Sequence, residues 1–304
     1  MLPSSLFENS ILPERTMAEG VTRFVWLDDR VVAFEDAKIP LDDRGLLFAE
    51  SIYEVIPLTG GKARMLPEHV RRMRAGAEPI ELGGGVPDES TWERRVQELV
   101  GAERMQEGLL YAQLTGGSAP RRHLPQSRPK PRFFAYLLPF RFPRADATAR
   151  GIALQSFTDP RWQRCDLKTT MLLPGVLAKR DAAARGAEEA LFVGPDGSVR
   201  EGASSNVFFV ENDRLMTPVQ SQHLLPGITR PLVAELAAET GRSVDHETVQ
   251  LSRLQNATEV FVTSTTLLVM PVVRIDDRPV GTGTSGPVAR DLAERLRARL
   301  ELHG

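Results

Sequence analysis

A chain of 304 residues, 41% hydrophobic and 26% charged, holds enough apolar material for a sizeable core and is long enough for two domains. Its 38 basic and 40 acidic side chains leave a formal charge of −2, so no global field draws it to nucleic acid or an anionic membrane, and small-molecule partners are expected. Cys165 is the only cysteine, which excludes an intrachain disulfide and a thiolate metal cluster and suits a reducing, cytoplasmic setting.

In chain order, residues 1–20 lack a charged head followed by a long apolar stretch and read as a loose tail, with Met17 an alternative start. RFVWLDDRVVAF reads as a hairpin around Asp28-Asp29, and SIYEVIPLTGGKARML as a second hairpin turning at Gly60-Gly61. PEHVRRMRAGAEPI opens with Pro67 at a helix start and carries Val70, Met73 and Ala77 at helical spacing. ELGGGVPDES is a flexible connector, and strand-like LLYAQLTGG leads into SAPRRHLPQSRPKPR, whose prolines exclude regular structure. After the strand RFFAYLLPF, the segment RFPRADATARG is the best linker. The division is then a tail at 1–20, a small α/β domain at 21–141, a linker at 142–149 and a larger domain at 150–304. The second half predicts a strand, a helix over about 169–186, two hairpins within EALFVGPDGSVREGASSNVFFVENDRLMTP, and a helix from Thr229 to a Gly241 cap. A strand TEVFVTST and a final helix from about Val288, with Leu292, Leu296 and Leu300 on one face, complete a mixed α/β chain. The longest apolar run, FFAYLLPF, has eight residues, far below the roughly 20 that a spanning helix needs, so no membrane segment is expected.

Several motif readings fail on spacing. LTGGKA lacks the earlier glycine and the following Ser or Thr of a phosphate loop, and ELGGGVPDES lacks the dinucleotide fingerprint. The histidines show no His-x-x-x-His pair, so no metal is expected, and no Gly-x-Ser-x-Gly elbow supports a serine nucleophile. Two lysines remain as candidates for covalent chemistry. A lysine becomes a nucleophile when an apolar or cationic setting lowers its pKa. Lys168 lies where a strand hands over to a helix, while Lys179 sits mid-helix at the edge of a stripe formed by Leu172, Leu173, Val176 and Leu177. Either could be an ordinary surface group. Eleven residues of helix span roughly 16 Å, so one site cannot use both.

The segments DDRGLLFAESIYEVI, PEHVRRM, CDLKTTMLLPGVLAK, VREGASSNVFFV, LLPGITR and EVFVTSTTLLVMPV stand in an order that resembles the fold-type IV pyridoxal phosphate enzymes, over about residues 21–300. That group holds the D-amino acid aminotransferases, branched-chain aminotransferases and aminodeoxychorismate lyases. The resemblance implies a two-domain α+β fold, a pyridoxal 5'-phosphate cofactor and a Schiff base on Lys168, with Lys179 at a helical position without a catalytic role. It implies that Glu201 is the partner of the cofactor's ring nitrogen and Leu225 the residue packed against the ring. Arg72, Ile228, Thr229, Ser264 and Thr265 match the phosphate-binding positions. Read locally, Glu201 could face water on a hairpin, Arg71, Arg72 and Arg74 could form a basic helix face, and Pro231 removes one donor near the phosphate.

D-amino acid aminotransferases hold the substrate carboxylate with a strand tyrosine and an Arg-x-His loop that reaches over from the partner subunit of a homodimer. By resemblance these fall on Tyr53, Arg121 and His123; a planar guanidinium suits a carboxylate, although the loop could equally be a solvated basic surface. Three departures bear on specificity: Gly116 stands where arginine is common, LFAES replaces FGDG, and Leu268 replaces a frequent glutamate. The expected activity is transamination of D-amino acids such as D-alanine, D-glutamate or D-aspartate with a 2-oxo acid. Branched-chain or (R)-amine transamination and the lyase reaction are the alternatives.

Overall fold

The computed structural model describes residues 22–302, so the expectations for the tail at 1–20 and for Met17 lie outside the described residues. The chain divides into two units: residues 22–141 together with Leu167–Met171, and Phe142–Asp166 together with residues 172–302.

In the first unit β1 (Phe24–Leu27) and β2 (Arg30–Ala33) form the predicted hairpin, with Asp28 at φ 52° in its turn. A short helix α1 (Arg44–Phe48) then leads to β3 (Ser51–Thr59), which pairs with β4 (Lys62–Ala63). Gly60 and Gly61, at φ 56° and 68°, supply the left-handed pair that a two-residue hairpin turn requires. Helices α2 (Leu66–Ala77) and α3 (Glu89–Glu103) precede β5 (Gly108–Thr115) and β6 (Arg132–Leu138). Between the helices, the segment read as a connector closes into a 3-10 turn at Gly83–Gly85. The six strands lie in the order β2-β1-β6-β5-β3-β4, every pairing antiparallel.

Strand alternation decides the two faces of this sheet. Ile52, Ile56, Leu110, Leu114, Phe133 and Leu137 point into one core with Val70 and Met73 of α2 and Trp92, Val96 and Leu99 of α3. At its centre the Trp26 and Trp92 rings meet edge to face, centroids 5.3 Å apart. The opposite face carries a half-buried aromatic row, in which Tyr53 stacks on Tyr111 at 5.8 Å and Tyr111 meets Tyr136 at a tilt, 5.3 Å between centroids.

The second unit opens with α4 (Ala145–Arg150), which begins within the segment read as a linker, and β7 (Ile152–Thr158). The helix expected over about 169–186 is α5 (Leu173–Ala184), and it starts late for a stated reason. Residues 168–170 are taken up by β3: the Tyr53 N–H donates to the Lys168 carbonyl at 3.0 Å, Thr169 bridges Ile52, and the Thr170 N–H reaches the Ser51 carbonyl. The two hairpins are β8 (Glu189–Val193) with β9 (Val199–Gly202), and β10 (Asn206–Glu211) with β11 (Arg214–Pro218). Next come α6 (Thr229–Glu239), β12 (Val244–Glu247), α7 (Leu251–Gln255), β13 (Glu259–Ser264), β14 (Leu268–Ile275), β15 (Arg278–Pro279) and α8 (Pro287–Arg299). The sheet runs β12-β11-β10-β13-β14-β7-β8-β9, with β15 appended to β14. Leu292 and Leu296 of α8, with Leu300 just past its end, are buried as predicted, and Glu259 accepts the Val288 and Ala289 N–H groups at 3.1 and 2.9 Å.

The apolar stripe on α5 behaves differently from an ordinary core face. Ala178 and Ala182 pack against Ala190 and Phe192, so the helix lies on the sheet through its alanines. Leu172, Leu173, Val176 and Leu177 are left 43%, 65%, 53% and 45% exposed.

Candidate active site

In the first unit, Lys168 is held by its backbone against β3, and its Nζ stands 4.3 Å from the centroid of the Tyr53 ring. A cation over an aromatic face on a pinned main chain is an amine with a defined direction. Gly76 of α2 lies close by, where a Cβ would stand 3.6 Å from the Ile52 side chain and 4.0 Å from the Lys168 backbone nitrogen.

Arg72 answers the question left open by its neighbours. Arg71 and Arg74 are exposed, whereas Arg72 turns inward and forms a two-point pair with Glu54, Nε to Oε1 at 2.8 Å and Nη2 to Oε2 at 2.6 Å. Glu54 Oε2 also meets His69 Nδ1 at 2.7 Å, and both residues are fully buried. Burial would raise the Glu54 carboxyl, but the charge and hydrogen bonds of Arg72, helped by His69, outweigh it and hold the pKa at about 2. Burial pushes the His69 ring below its ordinary value against the pull of Glu54, with the Arg72 and Lys168 charges adding to the fall. Glu54 is therefore a fixed anion that orients the guanidinium of α2.

The Tyr53 ring shares its face of the sheet with a hydrogen-bonded chain. Tyr111 donates to Gln113 Oε1 at 2.7 Å, Gln113 Nε2 donates to Ser51 Oγ at 2.8 Å, and Ser51 donates to the Leu114 carbonyl. Burial raises the Tyr111 phenol further out of the physiological range, so it stays a neutral donor. Arg121 and His123 are exposed on the loop after β5. Phe48 collects them, its ring 5.6 Å from the Arg121 guanidinium and 5.4 Å from the His123 ring.

In the second unit, Glu201 of β9 is 4% exposed. Its Oε2 accepts from Asn206 Nδ2 and from the Leu225 N–H, both at 3.0 Å, and its Oε1 accepts from Arg161 at 2.6 Å. Asn206 Nδ2 also reaches the Leu225 carbonyl at 3.1 Å, so carboxylate, amide and the Leu225 backbone are locked together. A Cβ at Gly227 would collide with Asn206 Oδ1, which is why this turn takes glycine. Arg161 is fixed from behind by Asp159, which also binds Arg200 at 2.8 Å. Burial pushes the Glu201 carboxyl up to about 7, even though Arg161 and the Leu225 N–H act to lower it.

Ile228 caps α6 without a side-chain cap hydrogen bond, and Thr229 begins the helix. Arg230 turns away, binding Gln220, Thr217 and the Pro218 carbonyl. At the β13–β14 turn Ser264 Oγ accepts the Leu267 N–H at 3.0 Å, while Thr265 is half-buried beside it. Leu268, the departure at this turn, is buried with φ 57°. Lys179 is engaged within the second unit: its Nζ bonds Ser204 at 3.1 Å and approaches buried Glu189 at 3.5 Å.

The structure holds Tyr53, Arg72, Arg121 and His123 in the first unit together with Lys168, which the sequence division puts in the larger domain at 150–304, and holds Glu201, Leu225, Ile228, Thr229, Ser264 and Thr265 in the second. Sequence reasoning missed Glu54, His69, Arg161 and Asn206. Glu54 carried a signal, because it interrupts the buried alternation Ile52, Glu54, Ile56, where a carboxylate must find partners. Arg161 carried none.

A family profile described as Amino-transferase class IV matches residues 51–275. The D-alanine aminotransferase of Staphylococcus haemolyticus is 36% identical over 278 residues, covering 91% of this chain and 98% of that protein. That of Bacillus licheniformis is 34% identical over 273 residues, covering 90% and 95%. Among solved structures, a branched-chain aminotransferase from Thermoproteus uzoniensis with norvaline superposes with a TM-score of 0.81 at 26% identity, covering 91% of this chain and 94% of that one. With a family match over most of its length and these relatives, the chain belongs to the class IV aminotransferases.

Proposed function

We propose that this aminotransferase moves the amino group of D-amino acids, D-alanine among them, to a 2-oxo acid. The observation that carries the choice of donor is the Arg-x-His loop, whose Arg121 and His123 side chains are exposed while Phe48 gathers them. A guanidinium and an imidazole at that spacing grip a carboxylate and fix its orientation. The relatives named D-alanine aminotransferase point the same way.

Class IV aminotransferases work with pyridoxal phosphate, and each unit by itself carries residue types that suit a part of that group. A buried carboxyl poised near 7 is matched to a protonated ring nitrogen, whose charge would draw Glu201 to its ionised form. Arg72, oriented by Glu54, suits the phosphate, as does the uncapped start of α6 at Ile228 and Thr229. Ser264 and Thr265 add hydroxyls, and Leu225, tied by its backbone to Glu201, offers an apolar wall. When bound, pyridoxal phosphate supplies an electron sink for the pair left as the substrate Cα–H bond breaks. Lys168 Nζ is the amine that would hold the cofactor and, once freed by the substrate amine, would serve as the base and acid for the proton at the substrate Cα. Glu201 would keep the ring nitrogen protonated, Tyr53 stands beside the Lys168 amine, and Arg121 with His123 would bind the carboxylate.

A homodimer in a cytoplasmic setting belongs to the same proposal. The exposed Leu172, Leu173, Val176 and Leu177 of the α5 region form an apolar face suited to a second copy, and the single cysteine suits a reducing compartment. Among the described residues, no helix is long and apolar enough to cross a membrane.

The test is formation of pyruvate from D-alanine and from L-alanine with 2-oxoglutarate as acceptor, alongside consumption of L-leucine. Turnover of D-alanine alone supports the reading. Preference for L-leucine contradicts it.

A further inference from the structure

The loop bearing Arg121 and His123 is tied to residues 42–50 of its own unit by contacts that the reaction does not use. Asp43, fully buried, accepts the Gly45 N–H and the Thr115 hydroxyl, each at 2.8 Å. The Arg44 N–H donates to the Gly117 carbonyl at 2.9 Å, and Asp43 forms an isolated bridge with Ser118. Arg44 itself is only 5% exposed. Its Nε and Nη2 bind Glu50 Oε2 at 2.7 and 2.6 Å, Nη1 donates to the Arg122 carbonyl at 2.7 Å, and Nη2 donates to the His123 carbonyl at 3.1 Å. Its guanidinium also lies 4.9 Å from the centroid of the Phe48 ring, the same ring that meets Arg121 and His123.

Those two carbonyls belong to the peptide planes on either side of the His123 Cα. One planar cation that receives both fixes those planes, and with them the direction in which His123 leaves the backbone. Glu50 neutralises the buried charge, which otherwise would not stay there. Gly116 keeps the place open: a Cβ there would stand 3.0 Å from Glu50 Oε1 and 3.2 Å from Arg44 Cβ.

We propose that Arg44, held by Glu50 and Phe48, is the positioning residue of the carboxylate-binding loop and so sets the enzyme's affinity for amino donors that bear an α-carboxylate. The inference rests on the reading that Arg121 and His123 grip that carboxylate. It is a claim about orientation; Arg44 touches neither substrate nor cofactor.

The test uses the cofactor-loaded enzyme with Arg44→Met, Arg44→Lys, Gly116→Ala and, as the check on the underlying reading, Arg121→Ala. Two readouts are taken: KM and kcat for D-alanine, and the rate of trypsin cleavage after Arg121 and Arg122. Arg128 and Lys130 precede prolines and resist cleavage, so those two bonds report the loop. The cofactor's visible absorption checks folding. Gly116→Ala leaves every charge in place and crowds the same contact, so it keeps the test informative should the Arg44 variants not fold. The expected result is a rise of about 10- to 100-fold in KM for D-alanine with a smaller change in kcat, and faster cleavage, in both Arg44 variants and to a lesser degree in Gly116→Ala. Lysine does not restore the parent values, because its compact head cannot span Glu50 and two carbonyls. Parent-like KM in Arg44→Met beside a raised KM in Arg121→Ala overturns the inference and leaves the reading standing. Parent-like KM in Arg121→Ala overturns both. If Arg44→Met does not fold, parent-like KM and cleavage in Gly116→Ala overturn the inference.

Discussion

Replacing Glu201 by glutamine gives a prediction with a worked sign and size. In the folded, cofactor-free protein burial lifts the Glu201 carboxyl from 4.5 to about 7, because its bonds to Arg161, Asn206 and the Leu225 N–H do not fully offset the loss of water. The unfolded chain keeps the ordinary value. Between those two pH values the folded state therefore binds a proton that the unfolded state has released, and stability falls as pH rises. The contribution is fully present below about 4.5 and is gone above about 7. At about 1.4 kcal/mol per unit, a shift of roughly 2.5 units corresponds to about 3 kcal/mol. Glutamine does not titrate. The difference in unfolding free energy between the parent and Glu201→Gln, measured by urea titration of cofactor-free protein at intervals from pH 4 to 8, should move by about that amount in favour of the variant as pH increases. With the cofactor bound, a protonated ring nitrogen beside Glu201 would pull the carboxyl down, and the slope should shrink. Parallel pH profiles for the two cofactor-free proteins would refute the reasoning. The same variant, loaded with cofactor, should lose about a hundredfold or more in kcat, since an amide cannot hold the ring nitrogen protonated.

The remaining predictions concern particular contacts. Lys168→Ala should lower kcat for D-alanine by at least about a hundredfold, whereas Lys179→Ala, which removes only a partly exposed partner of Ser204 and Glu189, should stay within about twofold of the parent in steady-state assays. Glu54→Gln breaks a buried pair with Arg72 and His69, and should cost roughly 3–5 kcal/mol in denaturant unfolding and weaken cofactor binding in an absorbance titration. Ala49, at φ 52° after α1, occupies the left-handed position that glycine takes without strain, so Ala49→Gly should raise the unfolding free energy by about 1 kcal/mol in the same titration.

Sequence pattern made some of this legible and hid the rest for physical reasons. The Gly60-Gly61 turn, the Pro67 helix start and the Leu292, Leu296 and Leu300 face are local signals, and each is where the pattern put it. The late start of α5 was hidden because it depends on β3 claiming the backbone of Lys168–Thr170, a partner more than a hundred residues away in sequence. Its leucine stripe misleads in the same way, since Ala178 and Ala182 face the sheet. Short elements such as α1, α4 and β12 offer too few residues for a period to show. At the site, motif resemblance pointed to Lys168 and Glu201 but said nothing of what holds them. Arg161 and Asn206 become partners of Glu201 only once β9, β10 and the segment after β7 are folded together. Arg72 shows the limit: the resemblance singled it out among chemically identical arginine neighbours, but the physical distinction, the inward face of α2 with Glu54 opposite, shows only in the fold.

Transamination of D-amino acids by this protein can be read from a single half-reaction. The cofactor-loaded enzyme is mixed, without acceptor, with D-alanine, L-leucine and (R)-1-phenylethylamine in separate syringes, and the loss of the yellow cofactor absorption is followed. Rapid loss with D-alanine is expected, with an equivalent of pyruvate released and no comparable change with the other two donors. Rapid loss with L-leucine or the amine, and none with D-alanine, would contradict it.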